Sequence, residues 1–411
     1  MSKIEQLIKE KCPNGVIFYK LSEISEKFNG LSGKTKADFE NGNCRYISYT
    51  NLYKNPSINL KANDYVNIKS NEKQNDIKFK DILIAGSSEN LEDSGMVSVV
   101  TNKPSEKIYL NSFCFGLRLT PKYFDLYNAD FLKHLFRSKT FRSQITRCSF
   151  GVTRYNLSKD KLLKIKIPCP PIEVQEEIVK ILDKFNKLEK ELEKELKVRR
   201  KQYEFWCKQL LHKQNNQITI KKMYEIANFK NGKGHEKAIN SIGPYIVVNS
   251  KFISTNGNVI KKSSQQLVPL HKDDVLIVMS DLPNGKALAK TFIVDADNKY
   301  TLNQRIGCLT LKKSEKILPK YFYYILNRNS QLLKYDDGSS QTNLRKNDIL
   351  NINLQIPSLE EQERIVKILD KFYKLINDIS EGIPAEIEAR RKQYEYYRNK
   401  LLSFEELKTN E

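Results

Sequence analysis

Two stretches of the chain alternate apolar and charged residues at helical spacing, and they do so in almost the same words: EEIVKILDKFNKL from Glu176 and ERIVKILDKFYKL from Glu363. In the first, Ile178, Leu182, Phe185, Leu188, Leu192 and Leu196 step by threes and fours, and Tyr203, Trp206 and Leu210 resume the stripe. In the second, Ile365, Leu369, Phe372, Ile376, Ile379 and Ile383 keep step before Tyr394, Tyr397 and Leu401. Glu and Lys fill most of the other positions, so each stretch predicts a long helix with a coiled-coil seam. The first helix is expected from Pro171 to Leu211, about 60 Å at 1.5 Å per residue. In the second, Ser358 and Glu361 form a capping-box pattern, and Gly382 followed by Pro384 predicts a break between two helical pieces. A helix with one apolar stripe needs a partner, and the nearest is its own repeat in the same chain. Packing of each arm on its own globule or on another chain is the alternative.

The likeness extends well beyond the helices. At an offset of 187 Asn156-Leu157 falls on Asn343-Leu344, Pro170 on Pro357, and Gln175 on Gln362; downstream RRKQYEFW from Arg199 falls on RRKQYEYY from Arg390 at an offset of 191, so the second copy has four extra residues. Upstream it thins but persists, as DILI at Asp81 against DVLI at Asp274 and PKYF at Pro121 against PKYF at Pro319. The repeat unit is therefore half the protein. Within each half, short β-branched runs punctuated by Gly, Asn and Ser read as strands, followed by a helical stretch, a small-polar loop, a short strand and a proline-marked entry to the long helix. The expected fold is mixed α/β, with two repeated globules and two long helices forming an antiparallel coiled coil. The expected boundaries are 1–169 for the first globule, 170–213 for the central arm, 214–356 for the second globule and 357–411 for the last arm.

Composition narrows the function. The chain has 411 residues, enough for more than one core, and 70 Lys+Arg against 49 Asp+Glu give a net charge of +21. Such an excess attracts polyanions, with nucleic acid ahead of an anionic membrane surface. No long apolar run, signal peptide or lipidation motif is found, so the chain reads as soluble and cytoplasmic. Seven cysteines without a CxxC pair read as reduced thiols. GLSGKT from Gly30 resembles a phosphate loop but has Phe28 where that motif needs glycine. The four histidines, His134, His212, His235 and His271, have no ligand spacing. NPSI at Asn55 lacks the second proline and the aromatic residue with which adenine methyltransferases hold a flipped base. No nucleophile set with a local signature is present, and the expectation is a binding protein without chemistry or a metal of its own.

The run from Arg137 to Lys159 carries the strongest binding signal. Arg137, Lys139, Arg142, Arg147, Arg154 and Lys159 are interleaved with Thr153, Tyr155 and other aromatic or small polar residues. Basic side chains neutralise phosphates and small polar ones donate to phosphates or base edges. A solvated helix face is the plainer reading. The second half matches it with Ser339, Ser340, Gln341, Thr342, Arg345 and Lys346. A further loop follows the D-[IV]-L-I strand in each half, offering Ser87 and Ser88 in one and Lys286 and Lys290 in the other.

A small-polar loop and strand leading into IPCPP and then EVQEEIVKILD, from Ile167 to Asp183, with a looser second copy from Ile356 to Asp370, resembles the specificity subunit of type I restriction-modification systems. The RRKQYE arm ends, LLSF near the C-terminus and the opening IEQLIKEKCPNGV fit the same family. The resemblance spans the whole chain, with Ser358-Leu359 in place of Pro171-Ile172 and the Gly/Pro break as departures. It implies two target-recognition domains, each reading one part of a split, asymmetric double-stranded DNA target and held apart by paired helices. It implies as partners two methyltransferase subunits and restriction subunits, which would carry S-adenosylmethionine, ATP and magnesium, while this chain binds no cofactor. An enzyme with an unrecognised site, and a coiled-coil scaffold whose charge is incidental, are the competing classes.

Overall fold

The computed structural model describes residues 3–211, 218–282, 286–336, 338, 340–378 and 380–407; His212, Ser339 and Ile379 lie outside the described residues. The chain divides into two compact units, Met1–Glu193 with Glu386–Glu411, and Lys194–Ala385. In unit 1 the elements used below are β1 (Ile17–Lys20), β2 (Ser25–Asn29), β3 (Cys44–Ile47), α1 (Tyr49–Lys54), β4 (Tyr65–Val66), β5 (Ile82–Ala85), β6 (Ser87–Ser88), β7 (Val97–Val99), β8 (Ile108–Leu110) and β9 (Cys114–Leu119). They continue with α2 (Ala129–Phe136), α3 (Lys139–Thr146), β10 (Ser149–Phe150), β11 (Tyr155–Leu157), β12 (Lys166–Cys169) and the first part of α4 (Ile172–Leu211). Unit 2 holds the rest of α4, then β13 (Thr219–Lys222), β14 (Ala227–Asn231), β15 (Tyr245–Val248), β16 (Lys262–Ser263), β17 (Val275–Val278), β18 (Ser280–Asp281), β19 (Thr291–Ile293), β20 (Tyr300–Leu302) and β21 (Ile306–Leu311). It closes with α5 (Pro319–Leu326), β22 (Thr342–Asn343), β23 (Asn353–Ile356) and α6 (Leu359–Asn377), before α7 (Ile383–Leu401), which enters unit 1 from Glu386.

The repeat seen in the sequence is a repeat of topology. Unit 1 has a four-stranded sheet ordered β2-β9-β5-β7 and unit 2 one ordered β14-β21-β17-β19. The sheets β4-β3-β8 and β16-β15-β20 correspond, each with one antiparallel and one parallel pair. The pairs β1-β12 and β13-β23 correspond as well. Among the described residues the pairs β11-β6 and β22-β18 also correspond, with β10 as a third strand beside β11 in unit 1.

The runs ILIA and VLIV are apolar throughout because their strands are buried on both faces. Ile82 and Ile84 of β5 point into one core with Phe115 and Leu117, while Leu83 and Ala85 point into another with Ile47, Leu52 and Leu110. Strand β17 is divided in the same way, Val275 and Ile277 to one core, Leu276 and Val278 to the other. Side chains of alternating orientation thus serve two cores from one strand. Opposite Phe28 in the β2–β9 ladder stands Gly116, where an added Cβ would lie 2.1 Å from the Phe28 ring. Gly307, which faces Asn231 in the β14–β21 ladder, leaves room for the diagonal Phe229 ring, 2.6 Å from where its Cβ would lie, so both halves keep glycine where an aromatic side chain lies across the neighbouring strand.

Each globule is fastened to its arm by a buried glutamine. Gln175 Oε1 accepts from Asn128 N at 2.8 Å, and its Nε2 donates to Leu126 O and Pro170 O at 2.7 and 2.8 Å. Gln362 repeats the set, accepting from Leu318 N at 2.8 Å and donating to Lys316 O and Pro357 O at 3.1 and 2.9 Å. Both glutamines have no solvent exposure. One helical turn or two further on, Ile178 and Leu182 enter the core of unit 1, and Ile365 and Leu369 that of unit 2. The start of each expected seam is therefore globule core. An apolar side chain buries against the nearest apolar surface, and at the arm's root that surface is the sheet and helix of its own unit.

Beyond the roots the arms meet in antiparallel fashion. In unit 1 Phe185 stacks on Tyr397 with ring centres 5.4 Å apart, and Arg391 bonds Glu189 and Glu193 at 2.6 and 2.8 Å, so α7 retreats as α4 advances. In unit 2 Tyr203 of α4 meets Tyr373 of α6 edge-on at 6.3 Å. Leu188, Leu192, Leu196 and Phe372 are half-buried along these faces, and Ile376 is buried. The predicted break is present between Asn377 and Ile383, and Ser358 Oγ accepts from Glu361 N at 3.3 Å at the start of α6.

Candidate nucleic-acid interface

Unit 1 carries an open concavity of about 790 Å³, lined by Tyr49, Tyr53, Ser87, Ser88, Glu89, Asn90, Asp93, Phe113, Thr153 and Arg154. One wall is α1, whose first turn is capped by Ser48 accepting from Asn51 N at 3.4 Å. Tyr49 and Tyr53 stand one turn apart, their rings near parallel at 6.2 Å between centres. The opposite wall is the β10–β11 hairpin. Its turn includes Gly151 at φ +116°, where a side chain would strike Arg154 O. The turn raises Phe150 and Val152 into solvent at 59 % and 87 % exposure. Arg154 on this hairpin is exposed and held in place: Nη2 donates to Ser87 Oγ at 3.0 Å, and its guanidinium lies 5.6 Å from the centre of the exposed Phe113 ring. An exposed arginine between an aromatic ring and hydroxyls suits a phosphate or a base edge.

The structure thus brings Ser87, Ser88, Thr153 and Arg154 together. Tyr155 pairs with Ser88 across β11 and β6. Lys139 and Arg147 are exposed at the two ends of α3, and half-buried Lys159 lies 4.9 Å from the Phe115 ring, where burial and Lys27 hold its pKa below the usual lysine value.

Two residues of the basic run face inward. Arg137 gives Nε to Val97 O at 2.6 Å and Nη2 to Leu52 O and Tyr53 O at 3.0 and 3.2 Å. Burial, then Arg142 and Arg398, push its pKa down to about 10. Arg142 gives its Nη atoms to Gly95 O, Glu92 O and Ser94 O at 2.7, 2.8 and 2.7 Å. Both were candidates for phosphate contact by their place in the basic run; in the fold their guanidinium groups hold backbone carbonyls instead. Arg137 caps the end of α2 and Arg142 lies within α3, so the run does not share one face, and carbonyls at the ends of strands and turns need donors.

Unit 2 builds its corresponding loops differently. Ser280 and Asp281 pair with Asn343 and Thr342, Gln341 Nε2 donates to Ser280 Oγ at 2.8 Å, and Thr342 Oγ1 donates to Asp336 at 3.3 Å. Asp281 gathers the loop after β18, its Oδ2 accepting from Ala287 N and Leu288 N at 2.7 and 3.2 Å and its Oδ1 from Leu282 N at 2.9 Å. Lys286, Ser340, Arg345 and Lys346 are exposed, the last with Nζ 5.9 Å from the Phe229 ring. Lys290 is half-buried and donates to Ser254 O at 3.3 Å; burial first, then Arg328, lowers its pKa. Sequence reasoning passed over Tyr49, Tyr53 and Phe113. The spacing of the two tyrosines behind a serine cap was the available signal; nothing local marked Phe113, which Asn111 turns outward by accepting from its N–H at 2.9 Å.

Among the described residues no group of side chains could hold a metal ion, and no helix is long and apolar enough to cross a membrane.

Comparison with known proteins gives a consistent result. The family described as Type I restriction modification DNA specificity domain matches residues 13–198 and again 215–389. The chain is 36 % identical over 264 residues to the EcoR124I/EcoR124II specificity subunit of Escherichia coli, covering 59 % of this chain and 63 % of that protein. It is 32 % identical over 295 residues to a Haemophilus influenzae protein named as a type I restriction enzyme specificity subunit, covering 67 % and 72 %. The chain aligns with just under two thirds of the length of the first of these and more of the second. In fold it is similar to a chain from a structure described by the complex assembly and conformational transition of the type I R-M system, with a TM-score of 0.62 at 16 % identity over 95 % of this chain and 98 % of that one. It is also similar to the HsdS subunit from Thermoanaerobacter tengcongensis, with a TM-score of 0.50 at 16 % identity over 95 % and 97 %.

Proposed function

The chain belongs to the type I restriction-modification DNA specificity family, a recognition subunit and not a catalyst, and from that premise we propose that the unit 1 concavity meets double-stranded DNA and reads one part of a split target, unit 2 reading the other. The observation that carries this reading is Arg154, exposed at the concavity's rim yet held by Ser87 against Phe113, beside stacked Tyr49 and Tyr53. A net charge of +21 supplies sequence-independent affinity. The different groups that hold the corresponding loops, Arg142 in unit 1 and Asp281 in unit 2, support two different half-sites, hence an asymmetric target.

In this reading two methyltransferase subunits and the restriction subunits join the chain in the cytoplasm. They carry S-adenosylmethionine, ATP and magnesium, and the chain directs them to a sequence. The test exchanges residues 1–169 for the recognition domain of another family member and sequences the methylome of cells that also express the methyltransferase subunit. One half of the methylated motif changes and the other stays. A change in both halves, or in neither with methylation retained, overturns the assignment. A scaffold whose charge is incidental would leave methylation without any motif.

A further inference from the structure

Arg142 spends its Nη donors on a loop that lines the concavity. Three of the four consecutive carbonyls from Glu92 to Gly95, those of Glu92, Ser94 and Gly95, converge on one guanidinium at 2.7 to 2.8 Å. The loop has its own ties: Asn90 Oδ1 accepts from Asp93 N and Asn90 Nδ2 donates to Asp93 Oδ2, at 2.8 and 2.7 Å. Ser94 and Ser149 hydroxyls meet at 2.7 Å, joining the loop to the β10 strand. Asp93 also accepts from the Tyr53 hydroxyl, whose pKa it raises. Whatever fixes residues 92–95 therefore fixes Asn90, Asp93 and Tyr53 of the stacked pair. Burial lowers the Arg142 pKa against the opposing influence of Asp93, as expected of a cation held mainly by carbonyls.

We propose that Arg142 is a positioning residue for sequence reading: without touching DNA it holds the loop after β6 in the shape in which Glu89, Asn90 and Tyr53 face a base pair. The proposal rests on the reading above that this concavity meets DNA. Its physical basis is the planar fork, which spans several acceptors at fixed angles, where a lysine ammonium is a single point with mobile donors. A loop that reads base edges must be held within a few tenths of an ångström, because a hydrogen bond weakens steeply off its line. Phosphate contacts elsewhere do not depend on that loop, so affinity and discrimination separate.

The test uses the full chain with its methyltransferase subunits and a randomised pool of duplex DNA, the retained duplexes being sequenced at several salt concentrations. Wild type is compared with Arg142→Lys, Arg142→Met and, as a contact control, Arg154→Ala. Discrimination in the unit 1 half-site, ~10-fold or more per base pair in the wild type, drops to within about 3-fold in both Arg142 variants. The unit 2 half-site and the log-log salt slope hold. Hydrogen exchange rises at residues 88–95 without spreading through unit 1. A salt slope reduced by ~0.9 with discrimination intact marks Arg142 as a phosphate contact and overturns the proposal. So does wild-type discrimination in Arg142→Lys, or exchange that rises across the whole unit. A wild-type complex with no base preference overturns the reading beneath the proposal, an outcome distinct from any seen only in the variants.

Discussion

Gln175 and Gln362 make the same three hydrogen bonds at the same places in their units, whereas Arg142 and Asp281 hold the two corresponding loops by opposite charges. The contrast separates parts of the molecule with different demands. Where a globule joins its arm, the backbone groups to be satisfied are the same in both halves, and one amide side chain with an acceptor and two donors satisfies them. In the loops the only demand on the fold is that some group collect stray N–H or carbonyl groups, and a carboxylate or a guanidinium does so equally well. An intermediate case lies next to the glutamines. Asp183 takes His134 Nε2 at 2.8 Å and Lys133 at 3.0 Å, while Asp370 takes the Tyr324 hydroxyl and Lys320, both at 2.6 Å. The acceptor is kept and its donors vary.

The largest expected effect tests the part held in common. Gln175→Leu and Gln362→Leu each remove three hydrogen bonds made by a buried side chain to backbone groups at the junction, at about 1 kcal/mol apiece, so each destabilises its own unit by about 3 kcal/mol. Hydrogen exchange resolved by unit measures it; a neutral result in one half breaks the equivalence. Next, Asp281→Ala releases the amides of Leu282, Ala287 and Leu288 and costs about 1–3 kcal/mol locally, seen as faster exchange over that loop with unit 1 unaffected.

A third effect is set by pH. Burial lowers the His134 pKa from its ordinary 6.5 despite the Asp183 bond. The neutral ring, with its proton on Nε2 toward Asp183, accepts from the Tyr394 hydroxyl at 3.0 Å; Lys133 and Asp130 are the other charged groups nearby. The folded state thus resists a proton that the unfolded state takes up, and stability present above about 6.5 is lost as pH falls below it. Burial alone would raise Asp183, but hydrogen bonds from His134 and Lys133 prevail and bring it to about 2, so a second loss follows as pH falls from 3.8 toward that value. Screening of the partly exposed Asp183 keeps this second loss small. Exchange at the α2–α4 junction, corrected for intrinsic rates, rises as pH falls below 6.5, while the α5–α6 junction, with Tyr324 in the histidine's place, shows no such rise. The smallest effect is that of Arg154→Ala, which removes about 0.9 from the log-log salt slope of DNA binding if the side chain meets one phosphate. An unchanged slope returns Arg154 to a solvated surface.

Much of this was legible in the chain. The doubled amphipathic pattern identified two arms, the matched Pro170/Pro357 and Gln175/Gln362 located the join of globule and arm, and the Gly382–Pro384 break fell where α6 gives way to α7, because helical periodicity, proline and glycine act through local geometry. Tertiary structure alone decided which basic residues face inward. Arg137 and Arg142 look no different from Arg147 and Arg154 in sequence, and only the approach of Val97, Leu52, Glu92 and Ser94, all distant along the chain, turns two of the four into donors to backbone carbonyls. The same holds for Phe113, which needed Arg154 and Ser87 beside it to become part of a site. Periodicity specifies which face of an element is apolar, but the direction and partners of a long cation depend on which unsatisfied carbonyls the finished fold leaves within its reach.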